Sequence, residues 1–198
     1  MVAVSDREYL TPQDYLDWEE QQALKYEYID GEVFAMTGGT IPHNDIAVNL
    51  TTTLKNHLRG KGCKVSMADA KVGVSELGLF HYPDVMVTCD ERDKRALKVI
   101  SYPCLIVEVL SPSTEAKDRG KKFQNYRRIS MLKEYVLISS EQKFIECFRL
   151  NEKGVWELYT YLEGNEVELK SVDFRCPIEL IYEDVVLEAG EEDEESKV

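Results

Sequence analysis

Two acidic residues placed inside apolar, β-branched runs constrain this chain more than any other feature. They lie in the runs PDVMV, which contains Asp84, and LIVEVL, which contains Glu108. Because side chains alternate between the two faces of a strand, Asp84 shares a face with Met86, and Glu108 lies between Ile106 and Leu110. A buried carboxylate without a partner costs several kcal/mol or takes up a proton. Each acid therefore needs a partner inside the fold.

A lysine in the next predicted helix can supply that partner. Asp118, Lys122 and Tyr126 recur every four residues, so they lie along one helix face. We expect the helix to begin near Asp118 as its N-cap. Side chains tilt towards the helix N-terminus, so Lys122 reaches back to the strand ends, whereas Lys121 lies about 100° away round the helix. Two acids and a lysine from separate segments are the parts of a metal-dependent hydrolytic site.

The same residues also admit a purely structural interpretation. Asp84 can be a turn residue at a strand start, and Glu108 can be a salt-bridge partner of Lys122. Either acid taken alone favours the structural interpretation, because such acids are often structural. The two acids together with a suitably placed lysine favour the hydrolytic site.

Two further candidates precede this stretch. Asp30-Gly31 stands between two alternating runs and predicts a β-hairpin, with Glu27 on its first strand. Glu27 can join the site or face solvent. His43 lies in the first turn of a helix predicted over residues 42–59, where it can contact a substrate phosphate, assist proton transfer, or simply cap and pack the helix.

The remaining patterns predict an α/β fold with a mixed sheet. Thr11-Pro12 begins a first helix whose buried side includes Tyr15 and Ala23, and an apolar stripe of four-residue spacing marks the 42–59 helix as core. Strands are predicted at 64–67, 71–74, 134–139, 144–150, 155–162 and 167–172, followed by a turn or helix within 178–187.

Length and charge suggest one domain with a tail. The chain has 198 residues, and we predict a single domain over 1–187 and a disordered acidic tail over 188–198. From Glu183 to Val198 there are eight acids and one lysine, which supply −7 of the net −13. From Arg92 to Lys133 there are eleven Lys/Arg and four Asp/Glu, a local +7. We expect this basic stretch to form a phosphate-binding surface around the site; the alternative is a solvated helix face.

Cysteine usage and hydropathy indicate a cytoplasmic protein without a membrane partner. The five cysteines form no CxxC or Cys/His cluster, so we expect reduced, packed thiols and neither a zinc site nor a disulfide framework. No basic region followed by an apolar run opens the chain. No apolar stretch approaches the roughly 18–20 residues that a membrane span needs.

Several of these motifs, taken together, resemble the bacterial Uma family of restriction-endonuclease-like proteins. The resemblance covers roughly residues 10–187. Its motifs are Glu27 within YEYIDG, His43 in the following helix, Pro83-Asp84-Val85, the run EVLSPST that begins at Glu108, Asp118-x3-Lys122-x3-Tyr126, and Glu134-Tyr135. It implies the restriction-endonuclease-like fold of the PD-(D/E)xK nucleases, a central mixed sheet flanked by helices.

The resemblance also implies a metal centre. Asp84 and Glu108 would hold one or two Mg²⁺ or Mn²⁺ ions through oxygen ligands, with the backbone carbonyl of Val109 as a further ligand. Glu27 would bind the metal directly or through water.

The catalytic lysine departs from the family pattern. It normally lies two residues after the second acid, where this chain has Leu110. Lys122 from the following helix fits as its replacement, and it would orient or help deprotonate the attacking water and offset transition-state charge. Tyr126 and Asp118 would position Lys122.

These features predict an endonuclease that cleaves double-stranded DNA with Mg²⁺ or Mn²⁺. A homodimer is expected, because cutting two strands favours two sites. One alternative is a nucleic-acid-binding or interaction domain that keeps the fold but has lost activity, an interpretation that Leu110 and the acidic balance motivate. A nucleotide phosphohydrolase is less favoured, because the chain lacks a Gly-rich phosphate loop and a His/Asp metal cluster.

Overall fold

Two mixed β-sheets carry most of the chain. The computed structural model describes residues 9–36, 38–74 and 78–187. The strands are β1 Tyr26–Ile29, β2 Glu32–Ala35, β3 Lys64–Met67, β4 Lys71–Val74, β5 Leu79–His81, β6 Val85–Thr88, β7 Val99–Ile100, β8 Leu105–Leu110, β9 Glu134–Ser139, β10 Phe144–Leu150, β11 Trp156–Leu162, β12 Glu166–Leu169 and β13 Phe174–Pro177.

Short and long helices flank these sheets. The α-helices are α1 Pro12–Glu19, α2 Ile41–His57, α3 Glu115–Lys117, α4 Phe123–Tyr126 and α5 Ile178–Ile181. A π-helical turn, Asp118–Lys122, joins α3 to α4. Short 3₁₀ helices lie at Glu91–Asp93 and Lys170–Val172.

The larger sheet has six strands in the order β11-β10-β9-β8-β6-β3, in which β8 and β9 are parallel and the other pairs antiparallel. The smaller sheet has five strands in the order β2-β1-β5-β4-β7, in which only the β4–β7 pair is parallel. Strands β12 and β13 form a separate hairpin. The predicted mixed-sheet α/β fold is therefore confirmed.

Strand β8 is buried on both faces, as its near-continuous apolar sequence requires. Leu105, Val107 and Val109 pack in one core, together with α2, α5 and the β12–β13 hairpin. Ile106 and Leu110 pack in a second core, which the smaller sheet and the α4 region share. Because Glu108 lies on the same face as Ile106 and Leu110, it is buried at 2% exposure under that second layer.

Helix α2 anchors the first core and positions one candidate side chain. Thr40 caps it by accepting a hydrogen bond from the His43 backbone N–H at 3.3 Å. Its apolar stripe is fully buried at Ile46, Leu50 and Leu54, as the spacing predicts. Burying each such side chain contributes about 1.5–3 kcal/mol. The packed helix thus holds His43 in its first turn.

Several local predictions differ from the structure. Helix α3 begins at Glu115, so Asp118 is not an N-cap; it lies inside the π-helical turn with its side chain buried. Helix α1 ends at Glu19, which leaves Ala23 outside it and exposed. Strands β5, β7 and β13 were not predicted, because strands of two to four residues carry too little periodicity to be recognised in a sequence.

A disulfide between Cys63 and Cys89 contradicts the prediction that all five cysteines are reduced. Strands β3 and β6 pair antiparallel with Lys64 opposite Thr88. This register brings the residues that flank the pair side by side. Spacing along the chain does not reveal such a pairing, since 26 residues separate the two cysteines. Cys104, Cys147 and Cys176 remain thiols.

Two other predictions concern an acidic C-terminal tail and membrane-spanning segments. The acidic tail predicted over 188–198 lies outside the described residues. Within the described ranges, no helix is both long and apolar enough to cross a membrane.

Candidate active site

The ends of β6 and β8 open into a cavity of about 190 Å³. Asp84 lies immediately before β6, and the β6–β8 register places Val85 opposite Val107, one residue from Glu108. Most of the site residues predicted from the sequence meet at this cavity. Those that line the cavity are Glu27, His43, Asp84, Glu108, Val109, Asp118 and Lys122. Tyr126 does not line it but contacts Glu108 inside the protein.

Lys122 is held by three carboxylates. Its Nζ lies 3.0 Å from Glu108 Oε1, 3.1 Å from Asp118 Oδ1 and 3.5 Å from Glu27 Oε1. Burial acts to lower the pKa of Lys122, but the three carboxylates outweigh it and hold that pKa well above the usual value. Lys122 therefore carries its positive charge at neutral pH.

Glu108 has fewer compensating partners. Its Oε1 accepts hydrogen bonds from Lys122 Nζ at 3.0 Å and from Tyr126 OH at 2.8 Å. Burial raises the pKa of Glu108 well above the ordinary value; Lys122 opposes the rise, and the charges of Asp118, Asp84 and Glu27 add to it. Tyr126 accordingly positions Glu108, whereas the sequence analysis assigned it to Lys122. Asp118 does contact Lys122, as predicted.

Asp84 stands at the more open side of the cavity, where its side chain is 20% exposed. Its Oδ2 accepts a hydrogen bond from the Val109 backbone N–H at 2.7 Å and lies 3.2 Å from His43 Nε2. Burial lowers the pKa of His43, but the hydrogen bond and charge of Asp84 produce a net rise. Asp84 therefore links β8 to the first turn of α2.

Glu27 faces inward from β1, so the solvent-facing alternative is wrong. It is 1% exposed, with Oε2 2.7 Å from Lys117 Nζ and Oε1 3.2 Å from His81 Nδ1. Burial acts to raise the pKa of Glu27, but Lys122, His81 and Lys117 outweigh it and lower that pKa well below the ordinary value. Glu27 is thus an ionised anchor for the basic groups around it.

Three residues of this network were missed by the sequence analysis. His81 in β5 contacts Glu27, and its Nε2 lies 3.1 Å from Asn125 Nδ2. Burial lowers the pKa of His81, which keeps the ring neutral. Lys117 directly precedes the π-helical turn. The available signal was proximity in sequence, since His81 stands three residues before Asp84 and Lys117 next to Asp118.

A second buried polar group supports the cavity wall. Tyr82 lines the cavity and donates a hydrogen bond to Glu19 Oε1 at the end of α1. Glu19 Oε2 pairs with Lys71 Nζ at 2.6 Å, and both side chains are more than nine-tenths buried. This pair ties α1 and the smaller sheet to the segment that carries Asp84.

The donor set fits a small divalent cation with few protein ligands. Among the described residues, no three His, Cys, Asp or Glu side chains are arranged to hold one metal ion. Mg²⁺ typically uses one or two carboxylates and keeps several waters, which Asp84, Glu108 and the Val109 carbonyl can satisfy. Four carboxylates (Glu27, Asp84, Glu108 and Asp118) lie around the cavity with two lysines, Lys117 and Lys122, so acids outnumber lysines here. This excess favours a divalent cation.

The basic stretch 92–133 surrounds this cavity only in part. Six of its eleven cations form ion pairs with acids: Arg92, Lys94, Lys98, Lys117, Arg119 and Lys122. Lys122 is the only cation of this stretch among the described residues that line the cavity. The rest of its positive charge is largely neutralised or lies elsewhere.

A central mixed sheet flanked by helices is the architecture of the restriction-endonuclease-like class of nuclease folds, and this chain has that architecture. A crystal structure from Anabaena variabilis, described as a "putative nuclease", has the same fold. The TM-score is 0.72 at 14% sequence identity, over 87% of this chain and 97% of that chain.

The sequence places the chain within a family. The model of the Uma2 family, described as "Putative restriction endonuclease", matches residues 12–179, and the chain belongs to this family. The uncharacterized protein slr1290 of Synechocystis is 44% identical over 173 residues, which cover 87% of this chain and 91% of that protein. The uncharacterized protein sll1609 of the same organism is 32% identical over 172 residues, covering 86% and 97%. The resemblance found in the sequence is confirmed.

Proposed function

We propose that this protein is a metal-dependent endonuclease that hydrolyses phosphodiester bonds in double-stranded DNA. One observation carries the proposal: Asp84, Glu108 and Lys122, from three separate segments, converge on one cavity, with Lys122 Nζ 3.0 Å from Glu108. Membership of the Uma2 family and the nuclease-like fold support the same function.

Asp84, Glu108 and the Val109 carbonyl are the groups that would hold Mg²⁺ or Mn²⁺. When bound, such an ion supplies Lewis acidity towards the phosphate and lowers the pKa of its water. Glu27 is the weaker candidate ligand, because its two oxygens already contact His81 and Lys117. Its role is to hold the basic groups in place.

The protein's own side chains suggest a division of labour. Lys122 remains cationic, so it stabilises negative charge on the phosphate and does not take a proton from water. Tyr126 fixes the orientation of the Glu108 carboxylate. His43, whose pKa is raised beside Asp84, is placed to contact a phosphate oxygen or donate a proton to the leaving group.

A homodimer forms part of the proposal, because two such cavities would cut the two strands of a duplex. The chain mass is 22.8 kDa. A solution mass of twice that value, measured by light scattering, is the expected result, and a monomer under cleavage conditions would contradict it.

A second candidate is a nucleic-acid-binding domain that keeps the fold without cleavage. The observation in its favour is that Lys122 Nζ and Glu108 Oε1 already satisfy each other as a buried ion pair. In this alternative the pair is structural, and Leu110 stands where the family pattern has its lysine.

Nicking of supercoiled plasmid DNA in the presence of Mn²⁺ separates the two candidates. We expect wild type to nick, and Asp84→Asn and Lys122→Gln to lose activity by at least about a hundredfold. Circular dichroism would establish that both variants fold, and Lys153→Gln, in an exposed turn, serves as a control with full activity. DNA binding without nicking, unchanged by EDTA, would contradict the nuclease and support the nucleic-acid-binding domain.

A further inference from the structure

A second groove, of about 630 Å³, lies between the C-terminal half of α2 and the edge strand β3. Lys55, Arg59 and Lys64 line it, and the other lining residues include two threonines and a serine. None of the described residues that line the groove is acidic. Its chemistry is that of an anion-binding surface.

The groove residues belong to a uniformly basic segment of an acidic chain. Residues 51–66 contain Lys55, Arg59, Lys61 and Lys64 and no Asp or Glu, although the net charge of the whole chain is −13. This segment lies outside the stretch 92–133, in which the phosphate-binding surface was predicted.

The four cations also differ from most others in having no acidic partner among the described residues. Lys61 Nζ lies 3.0 Å from His57 Nε2, Arg59 donates to Asn56 Oδ1 at 3.2 Å, and Lys64 Nζ donates to the backbone carbonyl of Asp93 at 3.3 Å. These neutral acceptors do not cancel charge. Cations without acidic partners make the local potential positive, so an anion in the groove would be stabilised.

The groove and the active-site cavity lie at the two ends of α2. His43 stands in the first turn at the cavity, and Lys55 follows twelve residues later, about 18 Å along the helix at about 1.5 Å per residue. Strand β3 spans the same interval, because Lys64 faces the groove and the Ala68 backbone N–H donates to the Asp84 carbonyl at 3.1 Å. One extended polyanion along this edge can reach both.

We propose that this groove binds the phosphate backbone of the DNA duplex whose scissile phosphate occupies the active-site cavity. The inference rests on the proposed function for its substrate. A rise of about 3.4 Å per base pair places the groove about five base pairs from the point of cleavage. Contacts of this kind position a duplex without reading its sequence.

The test measures DNA binding separately from cleavage. Lys55→Gln/Arg59→Gln removes two exposed cations of the groove, and the control Lys153→Gln removes one in the β10–β11 turn, at the edge of the larger sheet opposite β3. Anisotropy titrations of a labelled duplex, without divalent cations and over a range of NaCl, give the slope of log affinity against log salt. Each lost phosphate contact reduces that slope by about 0.9, so we expect the groove variant to lose about 1.8 and at least about tenfold in affinity.

The outcomes distinguish the groove from the nuclease. We expect the control to keep the wild-type slope, and the groove variant to nick at the wild-type rate once protein is saturating. If the groove variant keeps the wild-type salt slope, or the control loses as much slope, the groove does not bind the DNA backbone. This conclusion holds even where wild type nicks DNA. If the groove variant loses slope but wild type does not nick DNA, the groove binds DNA and the proposed nuclease activity is contradicted. Failure of wild type to bind the duplex overturns both.

Discussion

Glu27 and Glu108 are both buried beside Lys122, yet their pKa values move in opposite directions. Both lose hydration, which favours the protonated form. For Glu27, the contacts with Lys122, His81 and Lys117 outweigh the lost hydration and lower the pKa. Glu108 has one lysine and three neighbouring carboxylates, so its pKa rises. The difference in partners, and not in burial, therefore decides which acid stabilises the fold.

Glu27→Gln should lower the free energy of unfolding by about 3 kcal/mol near neutral pH, because it removes the buried carboxylate that pairs with Lys117 and Lys122. The folded-state pKa of Glu27 is depressed, so its contribution is present above the ordinary value of 4.5 and is lost as pH falls towards the folded value. Urea unfolding of both proteins at several pH values measures this. The stability difference should shrink in acid; a constant difference would contradict the assignment.

Glu108→Gln provides the matched comparison. Because the folded-state pKa of Glu108 is raised, its stabilising contribution is present below 4.5 and is lost as pH rises through the folded value. Near neutral pH we expect Glu108→Gln to keep or increase the free energy of unfolding while abolishing nicking. A loss as large as that of Glu27→Gln would show that the two acids do not differ.

At the scale of secondary structure, the π-helical turn between α3 and α4 shapes the site. Such turns are uncommon and occur frequently at functional sites. Here it brings Asp118 and Lys122 together at 3.1 Å, with Lys122 also reaching Glu108. The four-residue spacing in the sequence predicted the shared face correctly, although it assumed an ordinary α-helix.

Gly120 tests whether this turn needs a glycine. A Cβ at Gly120 would meet nothing within 4 Å, so Gly120→Ala should raise the free energy of unfolding by about 0.5–1 kcal/mol and leave nicking unchanged. In strand β4, Gly73→Ala should instead destabilise by about 1–3 kcal/mol, because its Cβ would stand 2.9 Å from Val99 Cγ1. Denaturant unfolding measures both, and destabilisation by Gly120→Ala would mean that the turn requires glycine.

The disulfide clamps the edge strand β3 to β6. Closing a loop over 26 residues restricts the unfolded chain and stabilises the fold by about 3 kcal/mol. We expect dithiothreitol to lower the melting temperature of wild type. The variant Cys63→Ser/Cys89→Ser should melt lower and show no response to the reductant. If wild type and variant respond alike, the bridge between these cysteines does not stabilise the protein.

For the molecule as a whole, divalent cations should act as a stabilising ligand. A ligand that binds only the folded state adds about 2.7 kcal/mol at a hundred times its Kd. Mn²⁺ should therefore raise the melting temperature of wild type relative to EDTA, and Asp84→Asn should remove most of that rise. Because the chain carries −13, non-specific binding is the competing explanation. An equal rise in Asp84→Asn would favour it.

Local patterns in the sequence were sufficient wherever the determining interactions lie close along the chain. The Asp30-Gly31 hairpin, the buried stripe of α2 and the inward face of Glu108 all follow from residues within a few positions of each other. The convergence of Asp84, Glu108 and Lys122 was also predicted, because unpaired buried acids demand a partner and the lysine spacing supplied one.

Only the tertiary structure decided which distant residues meet. The ion pair of Glu27 with Lys117 joins positions 90 apart, and the Cys63–Cys89 bridge depends on the pairing of β3 with β6. Strand order brings such residues together, and no short-range pattern encodes it. The position of the basic surface also depends on tertiary structure. A count of charge along the chain does not reveal which cations the fold pairs with acids and which it leaves exposed along the β3 edge.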